Sequence, residues 1–284
     1  MKLYGGSKSA KRLARCFLLV AACFGVLFFA FEMFGSQFRR EDMPPEEEPE
    51  AEEPEAREPA PNPYDLSLFR EEDGFIVYDG EPKARRGVDV SAHQGKIDWA
   101  AVAACGVEFA MIRVGYRGYT EGTTSLDELF YENVAGAQAN GIDVGVYFFS
   151  QALNRDEAVE EAEIVLRAIE GLEITYPIVY DWESIIEEAR TDGMDPKVLT
   201  GCARAFCRRI QREGYRAGVY FNQAFGYQQY NLVALEEYVL WLAQYAPAPD
   251  FRYGFQIWQY SSAGRVDGIN CDVDLNLSFW QPGD

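Results

Sequence analysis

From residue 86 onward, short apolar runs of strand-like composition alternate with stretches of helical periodicity. GVDVS (87–91) predicts a strand, and IDWAAVAAC (97–105) a helix stopped by Gly106. FAMIRVGY (109–116) reads as a strand, LDELFYENVAGAQAN (126–140) as a helix stopped by Gly141, and VGVYFFS (144–150) as a strand. Over 156–169, Ala158, Ala162, Val165, Leu166 and Ile169 share one helical face. YPIVYDWE (176–183) is again a strand. The next helix starts with Asp195 as N-cap and Pro196 in its first turn, and ends at Gly214. AGVYFN (217–222) is the fifth strand. YVLWLAQY (238–245), FQIWQYS (255–261) and DVDLNL (272–277) follow with little helix between them. Eight strands, the first five in βα alternation, predict an α/β fold: an irregular (β/α)8-type barrel with few helices in its last third.

The first 85 residues follow a different pattern. Residues 1–15 carry Lys2, Lys8, Lys11, Arg12 and Arg15 and no acid, so they read as a cytoplasmic basic segment. Cys16 to Phe31 is free of charge, and with Met33 and Phe34 the run 16–34 is just long enough to span a bilayer. An uncleaved signal-anchor is the first reading, with the rest of the chain outside the membrane. A cleaved signal peptide and secretion come second. A lipoprotein comes third, because Val20-Ala21-Ala22-Cys23 lies inside the apolar run. Residues 35–63 read as a disordered acidic spacer, rich in Pro and Glu, that cannot bury a core. Residues 64–85 form a lead-in in which FIVYDG (75–80) is a candidate edge strand, and 86–284 is the main domain.

Charge narrows the partners. The formal charge is −20, and from Tyr64 onward 35 acids still face 18 bases, a net −17. A field of that sign repels nucleic acid. The chain has one histidine, no CxxC and six cysteines, so neither a zinc site nor a metal cofactor is expected. Cys202 and Cys207 sit about 140° apart around a predicted helix and cannot easily bond each other. Free buried cysteines are expected, with a Cys105–Cys271 bridge left open.

In a barrel, the reacting groups gather at the C-terminal ends of the strands. Three predicted strands carry acids there: Asp89 on the first, Asp181 and Glu183 on the fourth, and Asp272 and Asp274 on the last. Residues i and i+2 of a strand face the same way, about 6–7 Å apart, so Asp181 and Glu183 project together. Two close carboxylates disfavour double ionisation, which suits glycoside hydrolysis, where one acid protonates the leaving oxygen and a second carboxylate assists the cationic centre. A lone DxE is most often a solvated strand end. Asp89, Asp181, Glu183 and Asp274 at one mouth without His or Cys ligands leave a carboxylate glycosidase or a calcium site, and DVD (272–274) matches only the first step of a calcium loop.

RRGVDVSAHQGKIDWAAVAACGVEFAMIRVGY, VGVYFFSQA, PIVYDWES, WLAQY and IWQYSSAGRVDGINCDVDLN resemble glycoside hydrolase family 25, the lysozyme-type N-acetylmuramidases, over residues 84–280. The resemblance implies cleavage of the β-1,4 bond between N-acetylmuramic acid and N-acetylglucosamine in peptidoglycan, by a monomer without cofactor. It implies Glu183 as general acid and Asp181 acting on the anomeric centre or the substrate's acetamido group. Asp89 and Asp274 would position the pair, with Asp272 a weaker candidate for the last role. Tyr116, Tyr147, Phe149, Trp241 and Tyr260 are the candidate cleft aromatics, and Gln244 and Gln259 the polar partners for sugar. His93 reads as a scaffold residue. The chain departs from many relatives at Val114-Gly115-Tyr116, where a Thr-Glu pair is common. Two rivals are an idle glycan-binding scaffold and a glycosidase for another N-acetylated polymer such as chitin.

Overall fold

The computed structural model describes residues 57–184 and 188–283. The basic segment, the anchor run and most of the acidic spacer lie outside the described residues, within which no helix is long and apolar enough to cross a membrane. An antiparallel hairpin, β1 (Phe69–Glu72) and β2 (Phe75–Tyr78), precedes the barrel. The barrel strands are β3 (Arg85–Val90), β4 (Phe109–Arg117), β6 (Asp143–Ser150), β7 (Ile178–Trp182), β8 (Ala217–Asn222), β9 (Val239–Ala243), β10 (Ile257–Gly264) and β11 (Val273–Ser278). They pair in the order β3-β4-β6-β7-β8-β9-β10-β11, and β11 returns to β3 to close the ring. A short β5 (Thr124–Leu126) pairs antiparallel with the end of β4 outside the ring.

The expected irregular barrel is present, with one departure in direction. The pairs from β3 round to β10 are parallel, whereas β11 runs antiparallel to both β10 and β3. β10 and β11 are joined as a long hairpin, so no crossover helix is needed between them. Helices α1 (Trp99–Ala104), α2 (Phe130–Ala139), α3 (Arg155–Ala168) and α4 (Pro196–Arg212) fill the first four crossovers. α4 begins as the sequence predicts, with the Asp195 carboxylate accepting the Lys197 N–H at 2.7 Å and Pro196 in the first turn. α2 starts later than expected, because residues 124–126 form β5 instead. A short α5 (Gln223–Gln228), which the sequence reading left out, follows β8, with Asn222 capping it.

The period-2 alternation of the strands separates two apolar layers. Val88, Ile112, Val146, Tyr180, Val219, Leu240, Trp258 and Leu275 point outward and are covered by the helices and the hairpin. Phe109, Met111, Tyr176, Val179, Val239, Ile257 and Trp280 fill the closed end of the barrel interior. Phe109 and Tyr176 stack there with ring centroids 4.5 Å apart. Gly87 makes this possible, since a Cβ at that position would lie 2.3 Å from the Phe109 ring. The packing is tight, and truncation of Phe109 to Ala would cost about 3–5 kcal/mol.

The ordered body begins before residue 64. Residues 57–63, expected as part of the disordered spacer, dock on the domain. Asn62 donates its side-chain amide to the carbonyls of Pro249 and Phe251, both at 3.0 Å, and Pro61 bridges to Tyr253. Tyr64 stacks on Phe279 at 3.8 Å. The stretch is poor in acids compared with 46–55, and a docked edge satisfies its backbone groups at low desolvation cost. FIVYDG does contribute a strand, β2, whose Phe75, Ile76 and Tyr78 are buried.

Candidate active site

The open end of the barrel interior holds a cavity of about 300 Å³ lined by Asp89, Asp181, Glu183, Asp274, Arg113, Tyr147, Phe149, Tyr220, Trp241, Tyr245 and Gln259, with Ser91, His93 and Gln94 at the edge. The four candidate acids therefore share one space. Each arrives by strand parity. Gly87 and Asp89 face inward on β3, as do Val179 and Asp181 on β7, and Glu183 follows just past the strand end. Asp181 lies in register between Phe149 of β6 and Tyr220 of β8. Asp274 lies directly opposite Asp89 across the β11–β3 pair. It reaches the mouth because β11 is antiparallel: the start of this strand lies beside the ends of its neighbours.

Asp89 is the most heavily supported acid. Its Oδ2 accepts from the Asn276 side-chain amide at 2.7 Å and from the Gln259 amide at 3.0 Å. The orientation of both amides is fixed. The hydroxyls of Tyr220 and Tyr245 donate to Gln259 Oε1 at 3.0 and 3.1 Å, and the Trp241 indole N–H donates to Asn276 Oδ1 at 2.9 Å. The amide NH2 groups are thereby left to face Asp89. Asp274 faces Asp89 across the strand pair, and burial together with this neighbour raises the Asp89 carboxyl well above the usual carboxylate range.

Burial raises the proton affinity of all four carboxyls, and repulsion from neighbouring acids adds to it at Asp89, Asp181 and Glu183. Asp181 is pushed well above the usual carboxylate range by burial first, then by Glu183 and Asp89. Glu183 is raised by burial and by Asp274, and Asp274 is pushed up to about 6, chiefly by burial. Among the described residues Arg113 is the one cation on the cavity wall, and its guanidinium is committed to Asp127 at 2.8 Å. The cluster thus holds protons into a pH range where isolated carboxylates have lost them. Asp181 Oδ1 is buried without a hydrogen-bond partner among the described residues, unusual for a buried polar atom.

A second set of contacts anchors the backbone of Glu183. The side-chain amide of the fully buried Gln151, just past β6, donates to the Glu183 carbonyl at 3.0 Å. Its own oxygen accepts from Thr191 Oγ1 at 2.6 Å. Arg190 donates to the Gln151 carbonyl and pairs with Glu157 of α3 at 2.8 Å.

The remaining sequence candidates divide. Tyr147, Phe149, Trp241 and Gln259 line the cavity. Tyr116 lines an adjoining groove instead. Gln244 and Tyr260 do not reach the cavity, which corrects the sequence reading. Trp241 and Ala243 face inward on β9, so Gln244 turns outward and binds Asp250 and the Phe251 N–H. Gln259 faces inward on β10, so Tyr260 turns outward, where its hydroxyl accepts the Ile76 N–H at 3.3 Å. Asp272 is also outside, paired with Arg265 at 2.6 Å. Arg113, Tyr220, Tyr245 and Asn276 were not anticipated. The period-2 rule carried a signal for three of them: Arg113 shares parity with Phe109 and Met111, Tyr245 with Trp241, and Asn276 with Asp274. The cysteines Cys105, Cys202, Cys207 and Cys271 are all free.

In sequence and fold the chain is similar to known lysozymes and autolysins. An autolytic lysozyme of Clostridium acetobutylicum is 28% identical over 192 residues, covering 67% of this chain and 55% of its own length. Lysozyme M1 of Streptomyces globisporus is 30% identical over 202 residues, covering 67% and 66%. The modular autolysin LytC of Streptococcus pneumoniae, solved in complex with a synthetic peptidoglycan ligand, shares the fold with a TM-score of 0.62 at 24% identity, over 74% of this chain and 51% of LytC. The chain thus spans only about half to two thirds of the length of these relatives. The model of glycosyl hydrolases family 25 matches residues 88–269, which run from within the first barrel strand past β10 and include three of the four cavity acids, and the chain belongs to that family.

Proposed function

We propose that this chain hydrolyses peptidoglycan at the β-1,4 bond between N-acetylmuramic acid and N-acetylglucosamine, with Glu183 as the general acid. The observation that carries the reading is Asp181 and Glu183 projecting into one cavity, with a buried Asp181 oxygen that has no partner among the described residues. Glu183 has its proton affinity raised by burial and by Asp274, which suits a group that must deliver a proton near neutral pH. That proton goes to the glycosidic oxygen as the bond to the anomeric carbon breaks. Asp181, two residues away on the same face, is placed to stabilise the positive charge that develops there, or to orient the acetamido group as an internal nucleophile. The Asp89–Asp274 pair, held by Asn276 and Gln259, fixes the field around Asp181. Tyr147, Phe149 and Trp241 offer flat apolar faces for a pyranose ring. The family relationship and the lysozymes among the relatives support the substrate class.

We further propose that the domain works outside the membrane, held there by the apolar run 16–34, as a monomer. The test of the activity is turbidity loss of purified cell walls, with mass spectrometry of the released reducing ends. Muramic acid at the new reducing ends is the expected result. N-acetylglucosamine ends, or activity on chitin alone, would assign a different bond or polymer. Glycan binding without any cleavage would make the domain a scaffold.

A further inference from the structure

Strand parity brings Asp181 into the cavity but does not give it a charge. Burial, Glu183 and Asp89 all favour its protonated form, whereas the roles given above need Asp181 ionised while Glu183 keeps its proton. Around Asp181 stand Glu183, Asp89 on β3, Asp274 on β11, and the phenols of Tyr147 on β6, Tyr220 on β8 and Tyr230 behind the strand. None of these can supply a positive charge, and His93 lies at the exposed edge of the cavity. Among the described residues on the wall, Arg113 is the one permanent cation, and it favours the ionised form of Asp181.

Several contacts fix Arg113 in that place. It shares the inward parity of Phe109 and Met111 on β4; Met111 pairs with Asp89, and Arg113 with Tyr147 of β6. The β4–β6 register shifts immediately afterwards, between Arg113 and Gly115. Bulges beside active sites commonly re-aim a side chain in this way. The guanidinium is locked, with Nε and Nη2 reaching Asp127 Oδ2 at 2.9 and 2.8 Å. Asp127 in turn accepts the N–H groups of Ala92 and Leu129, each at 3.0 Å. Asp127 itself does not line the cavity, so the pair turns its positive end to the four acids. Arg117, four residues on, provides the contrast. All three of its guanidinium nitrogens go to Glu161, Glu160 and the carbonyls of Gly122 and Glu157, and it does not line the cavity.

We propose that Arg113, locked by Asp127, is a positioning residue of the reaction, whose fixed charge on the cavity wall keeps Asp181 ionised beside a protonated Glu183. The proposal rests on the peptidoglycan reading above for its effect on turnover. Arg113 acts through Asp181 and has no part in the proton transfer itself. A charge on a largely dry wall is felt across the cavity more strongly than in bulk water. Arginine suits the place because it stays ionised when buried and its planar fork holds one direction.

The experiment measures the pH dependence of kcat/KM on purified cell walls for the full chain and two variants. Arg113→Lys keeps the charge. Arg113→Gln/Asp127→Asn removes both charges together, so no buried acid is left without its partner, and a thermal melt checks the fold. Because kcat/KM reports the ionisation of the free enzyme, the acid limb of the double variant should move to higher pH by roughly one unit, a tenfold loss at any pH below the limb. The loss should shrink as pH rises, and Arg113→Lys should leave the limb where the parent has it. A loss equal at every pH would make the pair purely structural, and a change in KM alone would make it a sugar contact; either overturns the proposal. So does a lysine variant displaced as far as the double variant. If the parent cleaves no wall, the peptidoglycan reading fails, and the free protein decides the charge relation separately. There the carboxyl carbon-13 resonance of Asp181, assigned with Asp181→Asn, should titrate at higher pH in the double variant than in the parent. An unchanged midpoint would sink the idea.

Discussion

Two groups of buried acids lie near the same barrel mouth, and they are treated in opposite ways. Asp127 and Glu161 have side chains with no solvent exposure, and each is matched by an arginine: Arg113 at 2.8 Å and Arg117 at 2.6 Å. Asp127 accepts two backbone N–H groups besides, from Ala92 and Leu129. Asp89, Asp181 and Asp274, with Glu183, face one another across a cavity, and among the described residues the one cation on its wall, Arg113, is paired with Asp127. The first group spends its charge on holding the β4–β5 hairpin and α3 together. Burial leaves proton affinity raised in both groups, Glu161 being pushed up to about 7 in spite of Arg117, but only the second turns its acids to an open cavity. Burial of an acid therefore does not mark the site. The missing counter-ion, facing open space, does.

The comparison is broken most severely by Glu183→Gln. Turnover on cell walls should fall on the order of 10²–10⁴-fold, the usual share of general acid catalysis, while the melting temperature stays close to that of the parent. Asp181→Asn should follow closely, since it removes charge from the reacting centre. If either variant lyses walls at a near-normal rate, the assignment of roles is wrong.

In the matched group the loss should appear in stability instead. Arg117→Met leaves Glu161 buried without its partner, and breaking a buried pair costs about 3–5 kcal/mol. For a domain of this size, that lowers the melting temperature by roughly 10 °C or more. The double change Arg117→Met/Glu161→Leu should recover much of the loss, because no uncompensated charge remains. A double variant as unstable as the single one would mean that the arginine acts through packing.

The pH dependence of stability probes the unmatched group directly. Asp274 has its folded-state value raised from 3.8 to about 6. Its contribution is fully present below about pH 4 and is lost as pH rises through about 6, because the folded state resists ionisation there. Asp274→Asn should therefore melt with the parent at pH 4 and above it at pH 7, at the expense of activity. A melting difference that does not change with pH would contradict the raised proton affinity.

The smallest effect is expected at Gln151. Gln151→Leu removes the donor to the Glu183 carbonyl and the acceptor for Thr191. Slight displacement of the acid should lower kcat by roughly tenfold with little change in KM, since positioning rather than binding is lost. A KM effect without a kcat effect would point to a role in substrate binding instead.

The sequence by itself determined the order of the elements and the inward pairing of Asp181 with Glu183. Periodicity and caps are local: the alternation in YPIVYDWE fixes which residues share a face, and Asp195-Pro196 fixes where α4 begins. The acids on the first and last strands were also legible as members of the mouth, although for Asp274 the stated ground, the C-terminal end of a parallel strand, did not hold. Only the tertiary structure decided that β11 runs antiparallel, which sets Asp274 opposite Asp89. It decided that Arg113 and Arg117 are committed to Asp127 and Glu161 while the other acids are left unmatched. It also turned Gln244 and Tyr260 outward and docked residues 57–63 onto the domain. Strand direction, counter-ions and docking depend on residues distant in sequence, such as Asp89 and Asp274, which meet only when the barrel closes. A local pattern of polar and apolar positions carries each side chain's face but not the neighbour it will meet.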